Sequence, residues 1–102
     1  MKIIESNLER IASLCKKYKV KSLAVFGSIL TDRFNDRSDI DLLVNFSPEI
    51  DHTNYADNYF DLCEEMEQLF SRKVDLVDQL ALRNPYFIQE LNETKKLIYG
   101  FE

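Results

Sequence analysis

Two short apolar runs constrain this chain most: one ends on Phe26-Gly27-Ser28, and the other starts at Asp39-Ile40-Asp41-Leu42-Leu43-Val44 after a spacer of ten residues. Val20 to Phe26 is brief, partly β-branched and stopped by a glycine, which predicts a buried strand running into a turn. Residues two apart on a strand share a face. Asp39 and Asp41 are therefore expected to project together, while Ile40, Leu42 and Val44 enter an apolar interior. Two like charges on one sheet face repel, and a divalent cation between them relieves that repulsion. Gly27 lets backbone come close to a ligand, and Ser28 at the start of a helical turn offers a hydroxyl and backbone N–H donors to an anion. A phosphate-holding turn coupled to paired carboxylates points to metal-dependent nucleotide chemistry.

A third carboxylate is placed to join them. In Lys73-Val74-Asp75-Leu76-Val77 the alternation puts Val74 and Leu76 on one face and Asp75 on the other. If this strand lies beside the Asp39 strand, three carboxylates cluster. Such a set suits two divalent ions about 3.5–4 Å apart, and oxygen-only ligands favour Mg²⁺ or Mn²⁺ over zinc. Asp78, which follows Val77 directly, is read as surface.

The remaining elements follow from periodicity and punctuation. Leu8, Ile11, Ala12, Cys15 and Tyr18 form a helical stripe, and Ser6 with Glu9 has capping-box spacing, so a helix is expected from Ser6 to Lys17. A short helical turn from Ser28 to Thr31 leads into a polar loop, Thr31 to Ser38, anchored by Phe34. The Asp39 strand runs to Phe46 and closes at Ser47-Pro48. A second helix spans Tyr55 to Phe70, with a core stripe of Tyr55, Tyr59, Leu62, Cys63, Met66, Leu69 and Phe70. Asn84-Pro85 reads as cap and first helical residue of a third helix carrying Phe87, Ile88 and Leu91. Lys96 to Tyr99 is a short strand or a terminal helical turn. The expected fold class is α+β, a small mixed β-sheet with helices packed on one face.

A chain of 102 residues fits one domain, 1–102, with a modest core and no room for a second. Hydrophobic residues make up 45%, with only two glycines and two prolines, a globular balance rather than a disordered one. The formal net charge of -5 argues against an extended nucleic-acid surface, which depends on neutralising Lys and Arg contacts. Cys15 and Cys63 fall at apolar helical positions without CxxC spacing, as reduced core residues do. Together with the lack of a signal-like apolar run near Met1 and of any membrane-length segment, this predicts a cytoplasmic protein. His52, in a polar loop between Asp51 and Thr53, reads as exposed rather than catalytic. Tyr55, Tyr59, Tyr86 and Tyr99 read as packing residues. Asp61, Glu64, Glu65 and Glu67 read as the solvated face of the second helix.

The stretch Phe26-Gly27-Ser28 through Ser38-Asp39-Ile40-Asp41-Leu42-Leu43-Val44 resembles the minimal nucleotidyltransferase family of the polymerase-β superfamily. Val74-Asp75-Leu76-Val77 is similar to the family's third-carboxylate strand and Leu97-Ile98-Tyr99 to its terminal segment. The resemblance implies the polymerase-β-like nucleotidyltransferase fold. It also implies Asp39, Asp41 and Asp75 as catalytic metal ligands, with Asp75 helping to activate the acceptor hydroxyl, and Gly27 and Ser28 as the triphosphate-holding pair. Many members carry a small residue two positions after the serine and often Arg-Gly beyond it, where this chain has Leu30, Thr31 and Asp32. Either Arg33 or Arg37 supplies the basic phosphate contact from the loop, or both are solvated.

Minimal members resemble the antitoxin half of gene pairs whose other half is an all-helical HEPN ribonuclease. The activity implied is Mg²⁺-dependent transfer of AMP from ATP to a toxin tyrosine, with the HEPN-type toxin as partner. Two other readings stand beside it. In one, the chain is a non-catalytic antitoxin that neutralises by binding alone. In the other, it modifies a small molecule as aminoglycoside-modifying enzymes do, with a homodimer completing the acceptor site.

Overall fold

The structure, a computed structural model, describes residues 1–101. Its strands are β1 (Val20–Phe26), β2 (Ile40–Phe46), β3 (Val74–Asp78) and β4 (Lys96–Gly100), and its helices are α1 (Lys2–Glu5), α2 (Leu8–Lys17), α3 (Tyr55–Phe70) and α4 (Pro85–Thr94). The strands form one sheet in the order β3-β2-β1-β4. β1 pairs antiparallel with β2 and with β4, whereas β2 and β3 run parallel. A parallel pair needs a crossover, and α3 supplies it. The expected α+β mixed sheet with helices is the observed one, but the helices are not confined to one face as expected.

Alternation along the strands divides the interior in two. Leu23 and Val25 of β1, Leu42 and Val44 of β2 and Leu76 of β3 meet Ile11 and Cys15 of α2 and Leu62 and Met66 of α3. The opposite face carries Ala24, Phe26 and Leu43, closed over by Leu91 of α4 with Val77 and Leu82 beside it. So α1, α2 and α3 share one face, and α4 alone lies across the other. The reason is visible in β1, where six of seven residues are buried. A strand apolar on both sides needs cover on both.

Sequence periodicity places α3 at its observed bounds, and the helix ends where Ser71 turns left-handed at φ 54°. Asn84 caps α4 as expected, its Oδ1 accepting the N–H groups of Tyr86 (2.9 Å) and Phe87 (3.3 Å). The C-terminal segment resolves to a strand. The N-terminus departs from expectation: no capping box forms, and the chain breaks into α1 and α2. The Ser6 hydroxyl instead donates back to the Lys2 carbonyl at 2.6 Å, and the Asn7 side chain donates to the Ile3 carbonyl at 2.8 Å. The extra turn buries Ile4 against the core. Glu65 and Glu67 also leave the solvated face assigned to them. Glu65 accepts from the Tyr18 hydroxyl and from Lys17 Nζ at 3.1 Å, and Glu67 accepts the Val74 N–H at 3.0 Å. Both cysteines are free, and burial pushes the Cys15 thiol up to about 12. No helix among the described residues is long and apolar enough to cross a membrane.

Candidate active site

The strand register builds a row of side chains across the α4 side of the sheet. Phe26 of β1 stands opposite Asp41 of β2, and Asp41 stands opposite Asp75 of β3. Directly paired residues share a face, with Cβ atoms about 4.5–5.5 Å apart. Asp39 precedes Asp41 by two, just ahead of β2, and its charge acts on the Asp41 carboxyl. Asp41 and Asp75 are thus paired on one face, with Asp39 beside them. Asp39 and Asp75 are exposed, and Asp41 is half-buried between them.

Gly27 completes the arrangement. β1 ends on an extended Phe26, and Gly27 at φ +75° turns the chain into a 3₁₀ turn, Gly27–Leu30. That φ disfavours any side chain. Space is short as well, since a Cβ on Gly27 would come within 2.2 Å of Asp41 Oδ2 and the carboxylate would have to shift. The Ser28 backbone N–H faces the same carboxylate and favours its charged form. The glycine-serine turn and the aspartate strand therefore touch directly. Loss of solvent raises the Asp41 carboxyl above its ordinary value, the charges of Asp75 and Asp39 raise it further, and the Ser28 N–H opposes the rise.

Among the described residues, no three acidic, His or Cys side chains are placed to hold a metal ion by themselves, so Asp39, Asp41 and Asp75 do not form the three-carboxylate ligand set expected from the sequence. The carboxylates form an open row instead. Mg²⁺ is commonly held by one or two carboxylates and takes the rest of its shell from water and substrate phosphates. An oxygen-only row, with its central member destabilised by its neighbours, fits that ion.

Sequence reasoning missed Arg72. Its guanidinium donates to the carbonyls of Asn35 (3.0 Å) and Ser38 (2.9 Å) and lies 4.7 Å from the centre of the Phe34 ring. It pins the loop whose last residue precedes Asp39. Only the expected apolar anchor, Phe34, hinted at such a partner. Arg33 and Arg37 are exposed on that loop, with their backbone N–H groups bonded to Thr31 Oγ1 (3.2 Å) and Asn35 Oδ1 (2.8 Å). Asp78 is not a bare surface residue. It accepts the Tyr55 hydroxyl and the Leu80 N–H, capping the turn after β3. Burial and that carboxylate both raise the Tyr55 phenol. The Tyr59 hydroxyl donates to the Leu76 carbonyl, so both tyrosines are packing residues. Tyr86, by contrast, is 83% exposed. His52 is exposed, as read.

Residues 9–101 match the family described as polymerase beta, nucleotidyltransferase. A Methanocaldococcus jannaschii protein named "Putative protein adenylyltransferase" is 40% identical over 85 residues, covering 81% of this chain and 79% of that protein. A solved structure described as "Structure of putative minimal nucleotidyltransferase" superposes with a TM-score of 0.74 at 25% identity, covering 90% of this chain and 89% of that one. A chain of the tri-AMPylated Shewanella oneidensis HEPN toxin in complex with MNT antitoxin gives a TM-score of 0.65 at 21% identity, covering 96% of this chain and 73% of that one. At that identity the likeness is one of fold. By sequence as well as by architecture, this chain belongs to the polymerase-β nucleotidyltransferase family, enzymes whose substrate is a nucleotide.

Proposed function

We propose that the protein transfers AMP from ATP, with Mg²⁺, to a tyrosine hydroxyl of a HEPN-type ribonuclease toxin and so acts as its antitoxin. The observation that carries this reading is the Asp41–Asp75 pairing across parallel strands, with Gly27 packed against Asp41. The adenylyltransferase name of the Methanocaldococcus jannaschii relative and the AMPylated toxin of the Shewanella oneidensis complex support the nucleotide and the partner. Residues 1–102 act as one catalytic unit, and the acceptor comes from another chain.

In the reaction the acceptor oxygen bonds to the α-phosphorus, the bond from that phosphorus to the pyrophosphate oxygen breaks, and the hydroxyl proton departs. Asp39 and Asp41 would hold Mg²⁺, two ions in this reading, which when bound would supply charge neutralisation at the triphosphate and a lower pKa for the attacking hydroxyl. Asp75, exposed on the edge strand, orients the acceptor hydroxyl and receives its proton. Gly27 lets the phosphates lie against backbone, and the Ser28 hydroxyl donates to them.

The test is incubation with the matched HEPN partner, ATP and Mg²⁺, read by intact mass spectrometry. AMP should appear on the partner with wild type and not with Asp39→Asn or Asp41→Asn. A partner that gains no mass from wild type rejects the transfer. A variant that still neutralises its partner favours the binding-only reading.

A further inference from the structure

We propose that the cleft between the Gly27 turn and α4 receives the purine base of the donor nucleotide, with Phe87 as the ring it packs on and Glu90 as its hydrogen-bond acceptor. The assignment rests on the donor being a nucleoside triphosphate held at the carboxylate row. The cleft has a volume of about 590 Å³ and is lined by apolar Phe26, Leu30, Phe87 and Leu91 together with Gly27, Glu90 and two threonines, Thr31 and Thr94. Small-molecule sites of this kind are about 300–1,000 Å³, largely apolar, with a few placed polar groups.

Three features tie the cleft to the reaction centre. Gly27 borders both, since it lines the cleft and lies against Asp41. Phe26, in the cleft wall, is the cross-strand partner of Asp41, so the apolar recess and the carboxylates are neighbours on one face. Phe87 is 38% exposed although its ring meets Phe26 edge-on, with centroids 6.4 Å apart. A nucleotide with phosphates at the Gly27 turn therefore has an aromatic-walled recess next to them.

The polar chemistry selects the occupant. A carboxylate at the border repels phosphate but accepts hydrogen bonds from ring or exocyclic N–H groups of a base. The base, which must be held but does not react, suits the recess. α4 is held in place for this role by the Asn84 cap on the Phe87 N–H at 3.3 Å and by the burial of Leu91.

Calorimetric titration of the full chain with Mg-ATP and, separately, with Mg-tripolyphosphate separates the base from the phosphates. Phe87→Ala should weaken ATP binding about tenfold, the scale of losing one base–aromatic contact, and leave tripolyphosphate binding unchanged. Phe87→Trp should restore ATP binding, and Glu90→Gln should weaken ATP selectively. If Phe87→Ala binds ATP as wild type does, or loses both ligands equally while its thermal melt is unchanged, the cleft assignment is overturned. If it instead loses only affinity for the protein partner, the cleft belongs to the acceptor and the assignment is likewise overturned. Wild type that binds neither ligand overturns the donor reading itself, a result distinct from the others.

Discussion

Asp41 Oδ2 occupies the place where a side chain on Gly27 would begin. The turn and the strand are therefore fitted to each other, and a side chain at position 27 has to displace the Asp41 carboxylate. Gly27→Ala meets two obstacles: a left-handed φ, which costs a non-glycine residue about 1–2 kcal/mol, and the carboxylate itself. Asp41 would be pushed off the row. Displacement of this kind can cost a reaction about 10²-fold. The expected outcome is a lower melting temperature together with AMP transfer reduced by about that factor. A variant that melts lower yet transfers AMP at the wild-type rate would show that the contact does not position Asp41.

The position of Asp41 works against stability at neutral pH. Its carboxyl is raised by burial and by Asp75 and Asp39, so the folded state holds its proton to a higher pH than the unfolded chain does. A group of that kind lowers stability as pH rises through the window between its ordinary value and its folded value, and the loss persists above it. Asp41→Asn removes the charge while keeping a carbonyl oxygen for the Ser28 N–H. The variant should be inactive yet melt higher than wild type at pH 7, with the gap shrinking toward pH 4. Thermal unfolding across that range checks it. A gap that stays constant or widens in acid contradicts the assignment of repulsion to Asp41.

The same shift governs activity. A metal ligand must be deprotonated, so Mg-ATP turnover should fall on acidification at a pH above that of an ordinary carboxylate. Raising Mg²⁺ should move this acid limb to lower pH, because cation and proton compete for one carboxylate row. Chelation with EDTA should abolish turnover, and restored Mg²⁺ should recover it. Rate profiles at two Mg²⁺ concentrations decide the matter: an acid limb that does not move with Mg²⁺ places the controlling group elsewhere.

What the sequence disclosed was what short-range pattern encodes. Period-two alternation put Asp41 and Asp75 on the faces they occupy, because a strand leaves no other choice once Ile40, Leu42, Val74 and Leu76 are buried. The 3.6-residue stripe fixed α3, and Asn84-Pro85 fixed the start of α4. What stayed hidden depends on contacts distant in sequence. Ser6 had two uses for one hydroxyl, and the burial of Ile4 decided between them. Nothing local reveals that α4 crosses to the far face, since that follows from the need to cover Ala24, Phe26 and Leu43. Arg72 and the loop it holds are 34 and 37 residues apart, beyond any local signal.

That distant clamp gives the last prediction. Arg72 holds Asn35 and Ser38 by their carbonyls and covers Phe34 with its guanidinium plane. One guanidinium nitrogen, Nη1, meets both carbonyls, and the delocalised plane covers the ring, a stacking contact that the compact, strongly hydrated ammonium of a lysine does not reproduce. Ser38 is followed at once by Asp39, so freedom in the loop becomes freedom in the first carboxylate. Arg72 contacts the loop and not the carboxylates, so its predicted effect is one of positioning. Arg72→Ala should lower kcat for AMP transfer and weaken Mg²⁺ dependence, with little effect on the core, whose apolar contacts are untouched. Arg72→Lys should restore little of the loss. Hydrogen exchange over residues 31–38 supplies the readout that a general stability defect would not give: faster exchange confined to that loop is expected. Uniformly faster exchange, or full activity in Arg72→Ala, would remove the clamp from the mechanism.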